Sequence, residues 1–133
     1  MSAYVFQELP FDVYFVLVAL FLGSFINLAS DRMPRGESIV SPRSHCRSCG
    51  RVLNVIDLLP VFGYLIRLGR CATCGIEIGA RSPLIEATAG ALMALSLVVY
   101  SINPGWMIGF VLICLLGIAV VAAGYRTAAA TGR

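Results

Sequence analysis

The chain has 133 residues, 59% of them hydrophobic and 13% charged, with a formal net charge of +3. A soluble domain typically carries about 25% charged residues, so one water-soluble globule, a disordered chain and a soluble nucleic-acid-binding module are all disfavoured, and no nucleic-acid partner is expected. No charged residue falls between Val13 and Ser30 or between Ala87 and Tyr125, the pattern of an integral membrane protein.

In chain order, residues 11–30 come first. At about 1.5 Å per residue they are long enough to cross a hydrocarbon core of about 30 Å, and Asp31-Arg32-Met33-Pro34 stops them. A cleaved secretory signal is the competing reading. The preceding residues carry Glu8 and Asp12 but no basic side chain, and no Ala-x-Ala-like site follows, so the segment is expected to be retained as the first span. The apolar stretch over residues 84–125 is too long for one crossing, and Asn103-Pro104-Gly105 divides it into a helical hairpin. Three parts are therefore predicted: residues 1–30 with the first span, a polar insert over residues 31–83, and a hairpin with its tail over residues 84–133. The fold class is an all-α membrane protein with three transmembrane helices and a small zinc-binding insert between the first and second.

All ten basic residues are arginines; eight lie between Asp31 and Pro83, and Arg126 and Arg133 lie in the C-terminal tail. Basic residues near span ends stay on the cytoplasmic side. The insert and the C-terminus are therefore expected in the cytoplasm, with the N-terminus and the Asn103 turn outside. Small residues recur as Gly105 and Gly109, Ala87 and Ala91, and Gly90 and Ala94, a spacing that favours close packing within the bundle. Cys114, alone in the third span, is expected to pack as a small apolar residue.

The insert holds Cys46-Arg47-Ser48-Cys49-Gly50 and Cys71-Ala72-Thr73-Cys74-Gly75. Two CxxC pairs at about this separation point to a four-thiolate zinc site made by Cys46, Cys49, Cys71 and Cys74. Glycine after each pair lets the turn close with N–H groups aimed at sulfur. Disulfides need an oxidising compartment, which the arginine distribution disfavours, and a thioredoxin-like pair needs a βαβ setting that the insert lacks. Iron fits the same sulfur cage and remains an alternative to zinc. With four thiolates present, His45 is read as an ordinary loop residue, and a closed site leaves the metal structural.

Between the pairs, Asp57 suits an N-cap, Pro60 a first turn, Arg67 a last turn and Gly69 a C-terminal cap, predicting a helix over about residues 58–68. Too short to span, it can form the core of the insert, lie in the membrane interface, or do both.

GSFINLASDRMPRGESIVSPRSHCRSCG, DLLPVFGYLIRLGRCATCG and IGARSPLIEATAG follow one another in that order. Together they resemble the bifunctional type IV prepilin leader peptidase/N-methyltransferases over about half of the chain. The resemblance implies a bacterial inner-membrane location, a prepilin or pseudopilin partner in type IV pilus or type II secretion assembly, contact with membrane lipid, and S-adenosylmethionine as methyl donor. It also implies two catalytic aspartates, one in a GxGD motif, in helices that follow. The aspartates here are Asp12, Asp31 and Asp57, and no GxGD occurs. The part resembled is the one the family associates with N-methylation of the cleaved pilin, and peptidase activity is not expected from these residues alone. Glu37 and Glu86 are the candidate catalytic carboxylates for the pilin amine. Arg35, Arg43, Arg70 and Arg81 are candidates for the cofactor carboxylate or an acidic pilin side chain, and Gly69 matches a family position tied to methyl transfer. Headgroup binding by the arginines and capping or ion pairing by Glu86 are the competing readings. The functional alternative is a non-catalytic or degenerate membrane subunit that positions pilins or completes a separate aspartyl peptidase.

Overall fold

The computed structural model describes residues 2–100 and 102–132, with side-chain surroundings described for residues 10–100 and 103–132. Glu8's side chain and Arg133, both used in the sequence reading, lie outside the described residues. Helix α1 covers Ser2–Arg32 and runs into a 3-10 turn at Met33–Arg35; α2 covers Phe62–Ile66, α3 Arg81–Tyr100 and α4 Ile102–Ala130. Among the described residues there is no strand, only isolated bridges at His45–Val52 and Arg70–Glu77.

Three segments are long and apolar enough to cross a membrane: Pro10–Arg35, Arg81–Tyr100 and Asn103–Ala130. Each extends beyond the limits expected from charge alone, because a helix end does not stop at the first residue able to face water. Asn103 and Pro104 leave helical geometry, so the break between the last two spans falls where their sequence predicts it.

The three long helices pack on one another. Their core is small: Ala19, Ala89, Met93, Leu97 and Ile113 are buried, with Phe15 stacked on Trp106 at 6.1 Å and Phe110 edge-on to both. Phe21, Phe25, Leu95, Val98, Val111, Leu115 and Ile118 point outward instead. An apolar exterior around helices whose backbone bonds are internally satisfied suits lipid, and the protein is a multi-pass membrane protein.

Glycines set the helix separation. A Cβ on Gly23 of α1 would lie 2.8 Å from the Cα of Glu86 and 3.0 Å from the Cβ of Ala89, so α1 and α3 touch nearly backbone to backbone. Gly105 lies as close to Ser96 and Leu97, and Gly90 and Gly109 receive Leu20 and Met93. Ala87 and Ala91 do not join this packing: both face outward, which corrects the expectation that they serve the bundle interior, and Cys114 faces outward on α4.

Candidate metal centre and its attachment to the membrane helices

Each cysteine pair builds the same local turn. The Cys46 N–H donates to the Arg51 carbonyl and the Gly50 N–H to the Cys46 carbonyl, both over 2.9 Å; the Cys71 N–H donates to Ile76 over 2.9 Å and the Gly75 N–H to Cys71 over 3.0 Å. Gly50 and Gly75 sit at φ +70° and +68°, the left-handed conformation that closes the turn. The bridges His45–Val52 and Arg70–Glu77 repeat at matching offsets, so the insert is a duplicated knuckle.

The two knuckles bring all four sulfurs within 4.8 Å of one another, with Cys46–Cys74 at 3.8 Å and Cys49–Cys71 at 3.9 Å. A tetrahedral centre with metal–sulfur bonds of about 2.3 Å has sulfur–sulfur edges of about 3.8 Å. The donor set and its spacing therefore fit a four-thiolate ion such as zinc. Backbone N–H groups of Cys74 and Thr73 draw the Cys71 thiol down to about 6, and those of Cys49 and Ser48 lower Cys46. Against the N–H of Arg51, which lowers it, burial and the neighbouring sulfurs push Cys49 up to about 11. With the Cys49 thiol held up in this way, a bound cation would supply the charge that a set of four thiolates needs. His45 is exposed, its Nδ1 3.0 Å from the Arg43 carbonyl oxygen.

Asp57 ties the first knuckle to the end of α2. Its carboxylate accepts from Arg51 Nη2 and Arg67 Nε, each over 2.6 Å, and is 6% exposed. Burial pushes the carboxyl up, but hydrogen bonds from Arg67, the Asn54 backbone and Arg51 outweigh it and hold Asp57 below the usual carboxylate range. Asp57 is therefore not the expected N-cap. The N-cap of α2 is Val61, which makes no side-chain capping bond, and Asp57 instead closes the preceding turn with Asn54: the Asn54 side chain accepts the Asp57 N–H over 3.0 Å while Asp57 accepts the Asn54 N–H over 3.2 Å, a reciprocal box. The N-x-x-D spacing was the available signal.

The helix expected over residues 58–68 is shortened to Phe62–Ile66 for a physical reason. Val61 adopts φ 59°, ψ −50°, and the Phe62 N–H returns to the Pro60 carbonyl, forming a γ-turn that breaks the chain direction. At the other end Leu68, not Gly69, takes the left-handed cap position at φ 51°; Leu68 N–H donates to Leu65 and Gly69 N–H to Tyr64. Gly69 is required next to it for two reasons: its φ is +68°, and a Cβ would meet the Tyr64 hydroxyl at 2.7 Å.

Glu86, 6% exposed on α3, holds this strained turn. Its Oε2 accepts the Val61 N–H over 2.6 Å and its Oε1 the Ser82 hydroxyl over 2.8 Å. A second link runs through Asp31 at the end of α1, which pairs with Arg35 and with Arg47, the residue after Cys46. Arg32, buried and not singled out by the sequence, donates to the carbonyls of Ser38 and Pro42 and fixes the loop between them.

The candidate site residues are dispersed. Arg35 and Arg81 line one polar cleft of about 180 Å³ with Ser30, Asp31, Thr127 and Thr131, where the helices end together, and Arg81 donates to Ser30 Oγ over 3.1 Å. Glu37 lies beside it, 3.4 Å from Arg35 Nε. Arg43 is on the exposed loop, and Arg70 pairs with Glu77 at an exposed edge of the second knuckle. Asp31 and Asp57 are each engaged by their own two arginines and do not form a carboxylate pair.

Three apolar helices capped by a four-cysteine insert define a class: a multi-pass membrane protein with a candidate metal centre at one end of the bundle. The sequence matches the family described as Bacterial Peptidase A24 N-terminal domain over residues 17–100, and the chain belongs to that family. It is similar to the prepilin leader peptidase/N-methyltransferase of Myxococcus xanthus, 40% identical over 82 residues, covering 62% of this chain and 24% of that protein. The Bacillus subtilis protein of the same name is 34% identical over 105 residues, covering 79% of this chain and 42% of its own length. The Escherichia coli type 4 prepilin-like proteins leader peptide-processing enzyme is 29% identical over 129 residues, covering 82% and 48% respectively. The chain thus spans less than half the length of these relatives. No solved structure matches.

Proposed function

We propose that the chain acts in prepilin processing at the bacterial inner membrane, as a metal-stabilised part of the N-methyltransferase activity named in its relatives. The observation that carries this is the family match over residues 17–100, which includes both knuckles and the helices that hold them. In this reading zinc occupies the four cysteines, the insert faces the cytoplasm, and a prepilin or pseudopilin of type IV pilus or type II secretion assembly is the substrate.

The arginine cleft fits a carboxylate, such as one end of S-adenosylmethionine or an acidic pilin side chain. At about 180 Å³ it is smaller than the sites of about 300–1,000 Å³ that enclose whole ligands, and Arg43, Gly69 and Arg70 add nothing to it. The cleft by itself therefore suits one end of the methyl donor better than the whole of it. Glu37, near the cleft, is the carboxylate placed to receive an ammonium there, whereas Glu86 is already committed to Val61 and Ser82.

This dispersal favours one second reading, a non-catalytic subunit that positions pilins or completes a separate aspartyl peptidase. The two separate in one assay with purified protein, cleaved pilin and S-adenosylmethionine carrying a labelled methyl. The methyltransferase reading expects label on the pilin N-terminal amine, with Glu37→Gln weakening transfer more than Glu77→Gln. No transfer, with metal bound and an aspartyl peptidase present, moves the conclusion to the subunit. Uncleaved prepilin should keep its leader with these residues alone, since they supply no carboxylate pair to activate water.

A further inference from the structure

Residues 55–68 reverse the usual order of a water-facing loop. Val55, Leu59, Phe62, Leu65, Ile66 and Leu68 are exposed, while the two charged residues of the segment, Asp57 and Arg67, are paired with each other on its inner side. The backbone is also largely closed to water: the N–H groups of Leu58, Leu59, Val61, Phe62, Gly63 and Leu65 all donate within the protein. Apolar surface outside, charges neutralised inside and satisfied amides are what lipid demands of a chain.

The depth of the segment points the same way. Val61 bonds Glu86, which lies five residues inside the span that begins at Arg81. The Glu86 carboxylate reaches back one turn to the Ser82 hydroxyl, so Val61 lies level with the first turn or so of that span, at most about 7 to 8 Å below its charged end and near the depth at which interfacial helices bury their apolar face. A segment tied at that level, with Phe62, Leu65 and Ile66 unpartnered, has the bilayer beside it.

We infer that residues 55–68 form a re-entrant anchor whose apolar face lies among the lipid chains just below the headgroups, so that the four-cysteine centre is held against the membrane surface and not suspended in water. The occupant of the apolar face is lipid. This inference needs neither metal chemistry nor methyl transfer, and its readout is independent of both.

The test uses the full chain with Trp106→Phe, reconstituted in phosphatidylcholine vesicles whose chains carry bromine either near the headgroup or near the chain ends. Phe62→Trp in that background should emit at blue-shifted wavelength, lose more signal to the shallow bromine than to the deep, and be little affected by aqueous acrylamide. Leu65→Trp, one turn away, should show the same ordering, and Val40→Trp on the exposed loop should show the opposite. Acrylamide quenching at Trp reporters 62 and 65 equal to that at 40 would overturn the inference in favour of a water-facing loop. Shielding from acrylamide and from both bromine positions would overturn it in favour of a protein cover.

Discussion

The Val61 backbone N–H donates to the Glu86 carboxylate over 2.6 Å, and through this bond an insert built around cysteines is fixed to a membrane helix. Val61 holds a strained positive φ, and Gly23 lets α1 press against the Cα of the same glutamate. One residue thus joins the insert and α3 through its carboxylate and α1 through its backbone.

Glu86→Ala leaves that N–H without its acceptor and should cost about 1–3 kcal/mol. Amide exchange at Val61 should lose protection in Glu86→Ala and recover it in Glu86→Gln, which keeps a carbonyl oxygen in place. Unchanged protection in the alanine variant would show that the contact does not hold the turn.

The sulfur quartet predicts about one zinc per chain after purification under reducing conditions. Cys46→Ser should abolish metal content and expose the insert to protease, whereas Cys114→Ser, outward on α4, should leave both as they are. Elemental analysis with limited proteolysis reads the result.

Asp57→Asn leaves Arg51 and Arg67 without their shared anion, with an expected loss of about 3 kcal/mol, the low end for breaking a buried pair. Because the folded Asp57 carboxyl titrates below its ordinary value, its contribution is present above the unfolded value of about 3.9 and is lost as pH falls through the lower folded value. Acid titration should show this dependence in the parent protein and lack that part of it in Asp57→Asn.

Gly23→Ala forces α1 away from Glu86 and Ala89 and should destabilise the bundle by about 1–3 kcal/mol, while Gly79→Ala, with nothing within 4 Å, should be nearly neutral. Detergent unfolding followed by helical circular dichroism distinguishes the two.

The orientation proposed from the arginines predicts that a cysteine introduced at Val40 is protected from impermeant reagents in whole cells, while one at Asn103 is reached. The reverse pattern would place the insert outside and reopen the case for disulfides.

Charge-free length, Asn103-Pro104-Gly105 and the paired CxxCG turns are local properties, so the sequence by itself determined three spans, a hairpin break and a four-sulfur cluster. Lipid requires long uncharged helices wherever they pack, and a CxxCG turn closes through its own backbone bonds. What depends on residues distant in the chain was decided only in three dimensions. Asp57 reads as a cap until Arg51 and Arg67 converge on it; Gly69 reads as the helix end until Leu68 takes the left-handed position under it. Glu86 reads as a candidate catalytic carboxylate, a cap or an ion-pair partner until the Val61 turn, 25 residues away in the chain, arrives to occupy it. Side chains with several available partners are assigned by which backbone reaches them, and spacing along the chain does not contain that information.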